Sequence, residues 1–277
     1  MQGGWSRMSD TKFLFDVFNR PRLQIRRFLM FQKFLLMAVI SLAATVSCHA
    51  KDLVVWSAGA VKPALEVLLP AFQKSSAISI DVQYAPVGVL MRRLAEGGQP
   101  DVLVLSTDVV KDVESKGWGL VGSATPLGSV GVGVAVKQGM PLPDISTPDA
   151  LRKTLLAAKS VTYMDPQKGT SGKHFAGVID QLGIAEQMKS KTTLGDVGYV
   201  LEPVARGEIE VGIQQITEIL PVKGAVLVGP LPASLQKITT YAILQGAKAN
   251  DTQAVGELRK FLQTSEAVKV FEEKGFK

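Results

Sequence analysis

The sequence predicts an α/β protein of two lobes, each a mixed, mainly parallel sheet flanked by helices. From residue 51 onward, apolar runs of strand length alternate with amphipathic runs of helix length, joined by short connections. Apolar side chains make up 46% of the 277 residues, enough to bury a substantial core. A single sheet built from all these elements would be large, so two lobes joined by crossing strands are expected.

Residues 52–56 (DLVVW) read as the first strand. Residues 63–74 read as a helix kinked or reset at Pro70, because an interior proline removes a backbone donor. A strand at 78–84, a helix at 89–96 and a strand at 102–106 (VLVLS) follow, and this repetition implies parallel strands covered by helices. Residues 129–136 (SVGVGVAV) form the next strand, ahead of a proline-rich turn. Thr147 and Pro148 then open a helix, one as a capping hydroxyl and the other at the first helical position. The strand at 161–164 feeds a helix at 171–182 that stops at Gly183. Beyond it, 196–206 is expected to be helical, 210–214 and 238–245 to be strands, and 252–263 and 265–274 to be closing helices. Residues 51–128 with 229–277 make one lobe and 129–228 the other. A ligand then sits between them, at the carboxyl ends of the strands.

The net charge of +6 is concentrated before residue 51, where seven Lys/Arg face two acids. The remainder is nearly neutral and has no Lys/Arg patch with interleaved aromatics, which argues against a nucleic-acid partner. Basic residues up to Lys33, an uncharged run at 34–46 (FLLMAVISLAATV) and the small residues of 47–50 (SCHA) follow the order of a signal peptide. Residues 1–50 are therefore expected to direct export to the periplasm and to be cleaved after Ala50. The run is shorter than the ~20 apolar residues that span a bilayer. Met30 opens a more ordinary signal of its own, so residues 1–29 read as an over-called start. Cys48 is the sole cysteine, and Thr45 stands where a lipoprotein signal usually carries Leu, which argues against lipidation.

Residues 165–174 (DPQKGTSGKH) lie between a strand and a helix and imitate a phosphate-binding loop. The P-loop pattern fails, since Gln167 stands where its first glycine belongs and His174 where its hydroxyl belongs. What remains is a helix start, whose free N–H groups suit anions in general. No catalytic constellation assembles. The chain lacks H-E-x-x-H, a histidine pair beyond residue 50 and a G-x-S-x-G elbow, so no metal, cofactor or catalytic residue is expected. Lys168 and Lys173 read as solvated, and His174 as a packing or surface residue.

Three strand-to-helix junctions, WSAGAVKPAL at 56–65, YAPVGVLMRRLAEGGQPDVLVLSTD at 84–108 and YMDPQKGTSGKHFAGVIDQLG at 163–183, line up with the ending KVFEEKGFK. Together they resemble the periplasmic molybdate-binding proteins of ABC importers, within the class II solute-binding proteins. The resemblance implies the two-lobe periplasmic-binding-protein fold and capture of a small anion for delivery to an inner-membrane ABC permease. It further implies a monomer and no enzymatic activity; a sensor for a signalling receptor, or less favourably a hydrolase, is the alternative. In that family hydroxyls and backbone N–H groups hold the oxyanion. The matching positions are Ala60 in the turn with Ser57 and Gly59, Val87 or Gly88, the amides of Ser171 and Val197, and Gln215, with Thr170 and Gly172 beside the third contact. The family's two serines and its tyrosine are thus replaced at Ala60, Gly88 and Gln215. Glutamine offers both donors and acceptors, whereas a tetrahedral dianion needs only donors, so an organic acid is expected to outcompete molybdate.

Overall fold

A computed structural model describes residues 52–277 of the protein, apart from 197 and 199. The signal-peptide reading, Cys48 and Val197 lie outside the described residues.

The strands are β1 (Leu53–Ala58), β2 (Ile80–Ala85), β3 (Val102–Ser106), β4 (Thr125–Lys137), β5 (Val161–Met164), β6 (Thr192–Gly195), β7 (Val211–Gln215), β8 (Ala225–Pro230) and β9 (Ile238–Gln245). They pair in the order β2-β1-β3-β9-β4-β7-β5-β6, with β8 also on β4. Pairing is parallel where β1 meets β2 and β3, and where β5 meets β6 and β7. It is antiparallel in the middle, where β9 and β4 run beside each other. The helices are α1 (Lys62–Ser76), α2 (Val87–Ala95), α3 (Val110–Ser115), α4 (Pro148–Ala157), α5 (Thr170–Gln181), α6 (Ala185–Lys189), α7 (Glu202–Arg206), α8 (Ile216–Ile219), α9 (Thr252–Phe261) and α10 (Ser265–Glu273).

Two main hydrophobic cores result. One surrounds Leu65, Leu90, Leu103, Ile243 and Phe271, from α1, α2, β3, β9 and α10. The other surrounds Val134, Leu151, Phe175 and Ile213, from β4, α4, α5 and β7. A smaller cluster under α7 and α8 includes Leu201, Val204 and Ile219. Strand β3 is buried at all five positions, as a strand covered on both faces must be. Strand β4 links the two cores. Its residues 125–131 pair with β9, while 132–136 pair with β7.

Two local expectations are corrected. Helix α1 runs unbroken through Pro70, which sits on the exposed face. Burial of Leu65, Leu68, Leu69 and Phe72, worth ~1.5–3 kcal/mol each, outweighs the ~3 kcal/mol cost of an interior proline. The expected helix over 196–206 shrinks to α7, because Gly198, at φ +82°, adopts a left-handed conformation that no right-handed helix contains. Elsewhere the Thr147 hydroxyl accepts from the Ala150 N–H, capping α4 as its sequence requires.

Candidate functional site

The carboxyl ends of β1, β2 and β5 converge with the starts of α1, α2 and α5 on a cavity of 340 Å³. That is the low end of the ~300–1,000 Å³ typical of small-molecule sites. Its wall includes Ala58, Gly59, Ala60 and Lys62 from the β1–α1 junction, Tyr84 to Val87 from the β2–α2 junction, and Met164, Gly169 and Thr170 from the β5–α5 junction. Gly198, Glu218 of α8 and Tyr241 of β9 also line it.

The junctions are built so that backbone closely approaches backbone. At Gly172, in the first turn of α5, an added Cβ would lie 1.9 Å from the Met164 carbonyl oxygen. The glycine lets α5 start directly on the end of β5, with first-turn N–H groups that have no intrahelical acceptors. Gly59 instead makes room for a side chain, Glu218, whose Oε1 would stand 2.9 Å from a Cβ at that position.

Glu218 is only 8% exposed, and burial pushes its carboxyl up to about 8, against a hydrogen bond from Gln214. The group is therefore largely protonated at neutral pH. Lys62 lines the same cavity, lies 5.8 Å from the Tyr84 ring centroid and 3.6 Å from Glu66. A neutral carboxyl, a lysine and helix-start N–H groups together make the cavity electropositive. Tyr241 is 2% exposed, and burial, with the Glu218 carboxyl beside it, raises its hydroxyl pKa. The Gln215 amide donates to that hydroxyl at 3.4 Å, and to the Thr239 hydroxyl at the same distance.

Of the residues singled out from sequence, Gly59, Ala60, Val87 and Thr170 line the cavity. Ser57 is fully buried behind the turn, donating to the Ala58 carbonyl. Ser171 and Gly172 lie buried in the first turn of α5, next to Thr170. Gln215 stands behind Tyr241, so a tyrosine hydroxyl stands beside Gln215 after all, supplied by a different strand. The Gly88 N–H donates to the Lys168 carbonyl at 2.8 Å, joining the β2–α2 junction to the 165–169 loop. Lys168 is partly exposed, off the cavity wall, and pairs with Asp165 and Asp196; those contacts raise its pKa, the Asp196 bond foremost. His174 packs, its Nε2 2.8 Å from the Leu235 carbonyl. Sequence reasoning missed Lys62, Tyr84, Glu218 and Tyr241. For Glu218 a signal existed: a lone acid between Ile216 and Ile219, following a strand that ends in two glutamines.

The fold and site together define a protein that encloses a small solute at strand ends. Residues 53–277 match the family of bacterial extracellular solute-binding proteins, and the chain belongs to it. Among relatives, it is 30% identical over 231 residues to an aconitate isomerase from a Pseudomonas species, covering 81% of this chain and 87% of that protein. It is 25% identical over 238 residues to a Bacillus subtilis protein named as an ABC transporter substrate-binding lipoprotein, YvgL, covering 84% and 89%. Its fold is similar to that of the periplasmic molybdate-binding protein of Azotobacter vinelandii, with a TM-score of 0.69 at 16% identity over 82% of this chain and 99% of that one. The sulfate-binding protein SubI of Mycobacterium tuberculosis gives 0.64 at 21% identity, covering 82% and 86%. The architecture is the two-lobe, class II periplasmic-binding-protein fold. No helix among the described residues is long and apolar enough to cross a membrane.

Proposed function

We propose that this chain is an exported binding protein that captures a small organic carboxylate between its two lobes, 51–128 with 229–277 and 129–228, and delivers it as a monomer to an inner-membrane permease. Cleavage after Ala50 would release it into the periplasm. The observation that carries the reading is that Lys62, helix-start N–H groups and the buried Glu218 carboxyl line one cavity. A bare tetrahedral oxyanion needs donors all round. An acid with several carboxyl groups uses donors and acceptors together, and the relative at 30% identity is named for such an acid. Calorimetric titration with molybdate, tungstate, citrate and the two aconitate isomers tests it. The expected result is an organic acid binding at least ~10-fold tighter than molybdate, a difference of about 1.4 kcal/mol. Tight molybdate binding with no response to any organic acid overturns it.

A second reading makes the same cavity catalytic, isomerising an unsaturated organic acid. Glu218 favours it, because a buried carboxyl held near neutrality is a proton-transfer group and a costly ornament for mere capture. Incubation with trans-aconitate, followed by proton NMR of the vinyl signal, distinguishes an isomerase from a carrier.

A further inference from the structure

Among the described residues, Glu218 is the one carboxyl side chain on the cavity wall. It is held there from three sides: α8 carries it, the Gly59 backbone lies against its Oε1, and Gln214 of β7 hydrogen-bonds to it. The other ionisable groups lining the cavity are Lys62 on α1, Tyr84 on β2 and Tyr241 on β9, and none forms an ion pair with Glu218 among the described residues. Burying a carboxyl without a cation costs free energy and does nothing to attract an anion.

We propose that Glu218 exchanges protons with carbon, acting on a C–H bond next to a carboxylate of the bound acid. The inference rests on the carboxylate-capture reading. In its carboxylate form Glu218 takes the proton, the C–H bond breaks, and the electron pair spreads into the neighbouring carboxylate of the ligand. The developing charge meets the Lys62 ammonium, the first-turn N–H groups of α5 and the tyrosine hydroxyls. In an unsaturated acid the spread pair also weakens the double bond, so the carbon skeleton turns. Glu218 then returns the proton, to the same carbon or to the far end of the allylic system, and regains its starting form. Nothing is oxidised or reduced. A base titrating near the working pH suits this task, and burial places Glu218 at about 8.

The test uses trans-aconitate in heavy water, with binding followed by calorimetry and deuterium uptake at the methylene carbon by proton NMR. The wild type is expected to bind and exchange, with a rate that rises with pH and levels off above about 8. Glu218→Gln is expected to bind while losing exchange ~100-fold or more, as removal of a general base does. Where that variant fails to fold or bind, Glu218→Asp decides: slowed exchange with a displaced pH profile supports the inference, and the wild-type rate and profile overturn it. Exchange by Glu218→Gln at the wild-type rate overturns it, as does a wild type that binds without exchanging. Failure to bind any organic acid sinks the capture reading, and this inference with it.

Discussion

Glu218 sets the titration behaviour of the cavity, and its sign follows from burial. Its ordinary value is 4.5 and its folded value about 8, so between them the folded chain holds a proton that the unfolded chain has released. Stability from this group is therefore full below the lower value and falls as pH rises through the window, by at most about 1.4 kcal/mol per pH unit. Urea denaturation at the two ends of that window should show the wild type losing a few kcal/mol more than Glu218→Gln; equal losses would show that the carboxyl is already ionised. Gly59 supplies the companion test. A methyl group there meets Oε1 at 2.9 Å, the far end of a side chain that can swing. Gly59→Ala should therefore leave the denaturation midpoint nearly unchanged but displace the carboxyl, weakening binding of the organic acid by ~10-fold, about 1.4 kcal/mol. Unaltered affinity would mean Glu218 does not face the ligand. Gly59 was legible in the sequence as part of the first junction, whereas Glu218 was not. Glu218 enters the site only because a four-residue helix after β7 folds back against the β1–α1 turn, a contact between positions far apart in the chain.

Strand-to-helix junctions were more legible, because their rules are local. Strands β3, β5 and β9 fall where their apolar runs lie, and α4 begins at its Thr-Pro cap. Short polar or interrupted strands escaped. β6 is Thr-Thr-Leu-Gly and gains its place only by pairing with β5, so its residues alone carry no strand signal. The GTSG motif drew attention as an anion loop, and the fold adds a second reason for it. Gly172 is where α5 rests on β5, with a Cβ destined for a backbone oxygen that cannot swing aside. Gly172→Ala must therefore lift the helix start away from the strand. The expected cost is ~2–4 kcal/mol, in the range of severe packing mutations, with loss of ligand binding because the N–H groups move too. Urea denaturation of that variant alongside Gly177→Ala, where a Cβ meets nothing within 4 Å, separates a junction effect from a helix-propensity effect. Equal stability of the two variants would remove the junction argument.

At the scale of the whole molecule the question is how the cavity opens. On the proposed lobe boundaries, Gly88 and Lys168 belong to opposite lobes, and the Gly88 N–H reaches the Lys168 carbonyl at 2.8 Å. Lys168 in turn is held by Asp165 and Asp196, which fixes the 165–169 loop where Gly88 meets it. On the two-lobe proposal this contact belongs to the closed form, and it depends on position 88 having no side chain: a Cβ would stand 2.8 Å from both the Gln167 and Lys168 carbonyl oxygens. On those boundaries the chain crosses between lobes in β4 and β8, so parting the lobes would leave each hydrophobic core intact and cost far less than unfolding. A ligand that touches both lobes binds the closed form better and shifts the population toward it. Small-angle scattering of the wild type should then show a smaller radius of gyration with saturating organic acid than without. Gly88→Val, at a half-buried position where the side chain meets two backbone oxygens, should stay folded because the lobes can part at that contact, with urea denaturation as the check. It should nevertheless hold the larger radius in the presence of ligand and bind at least ~10-fold more weakly, because the competent closed state is scarcer. A Gly88→Val protein that compacts and binds like the wild type would show that closure does not run through this contact.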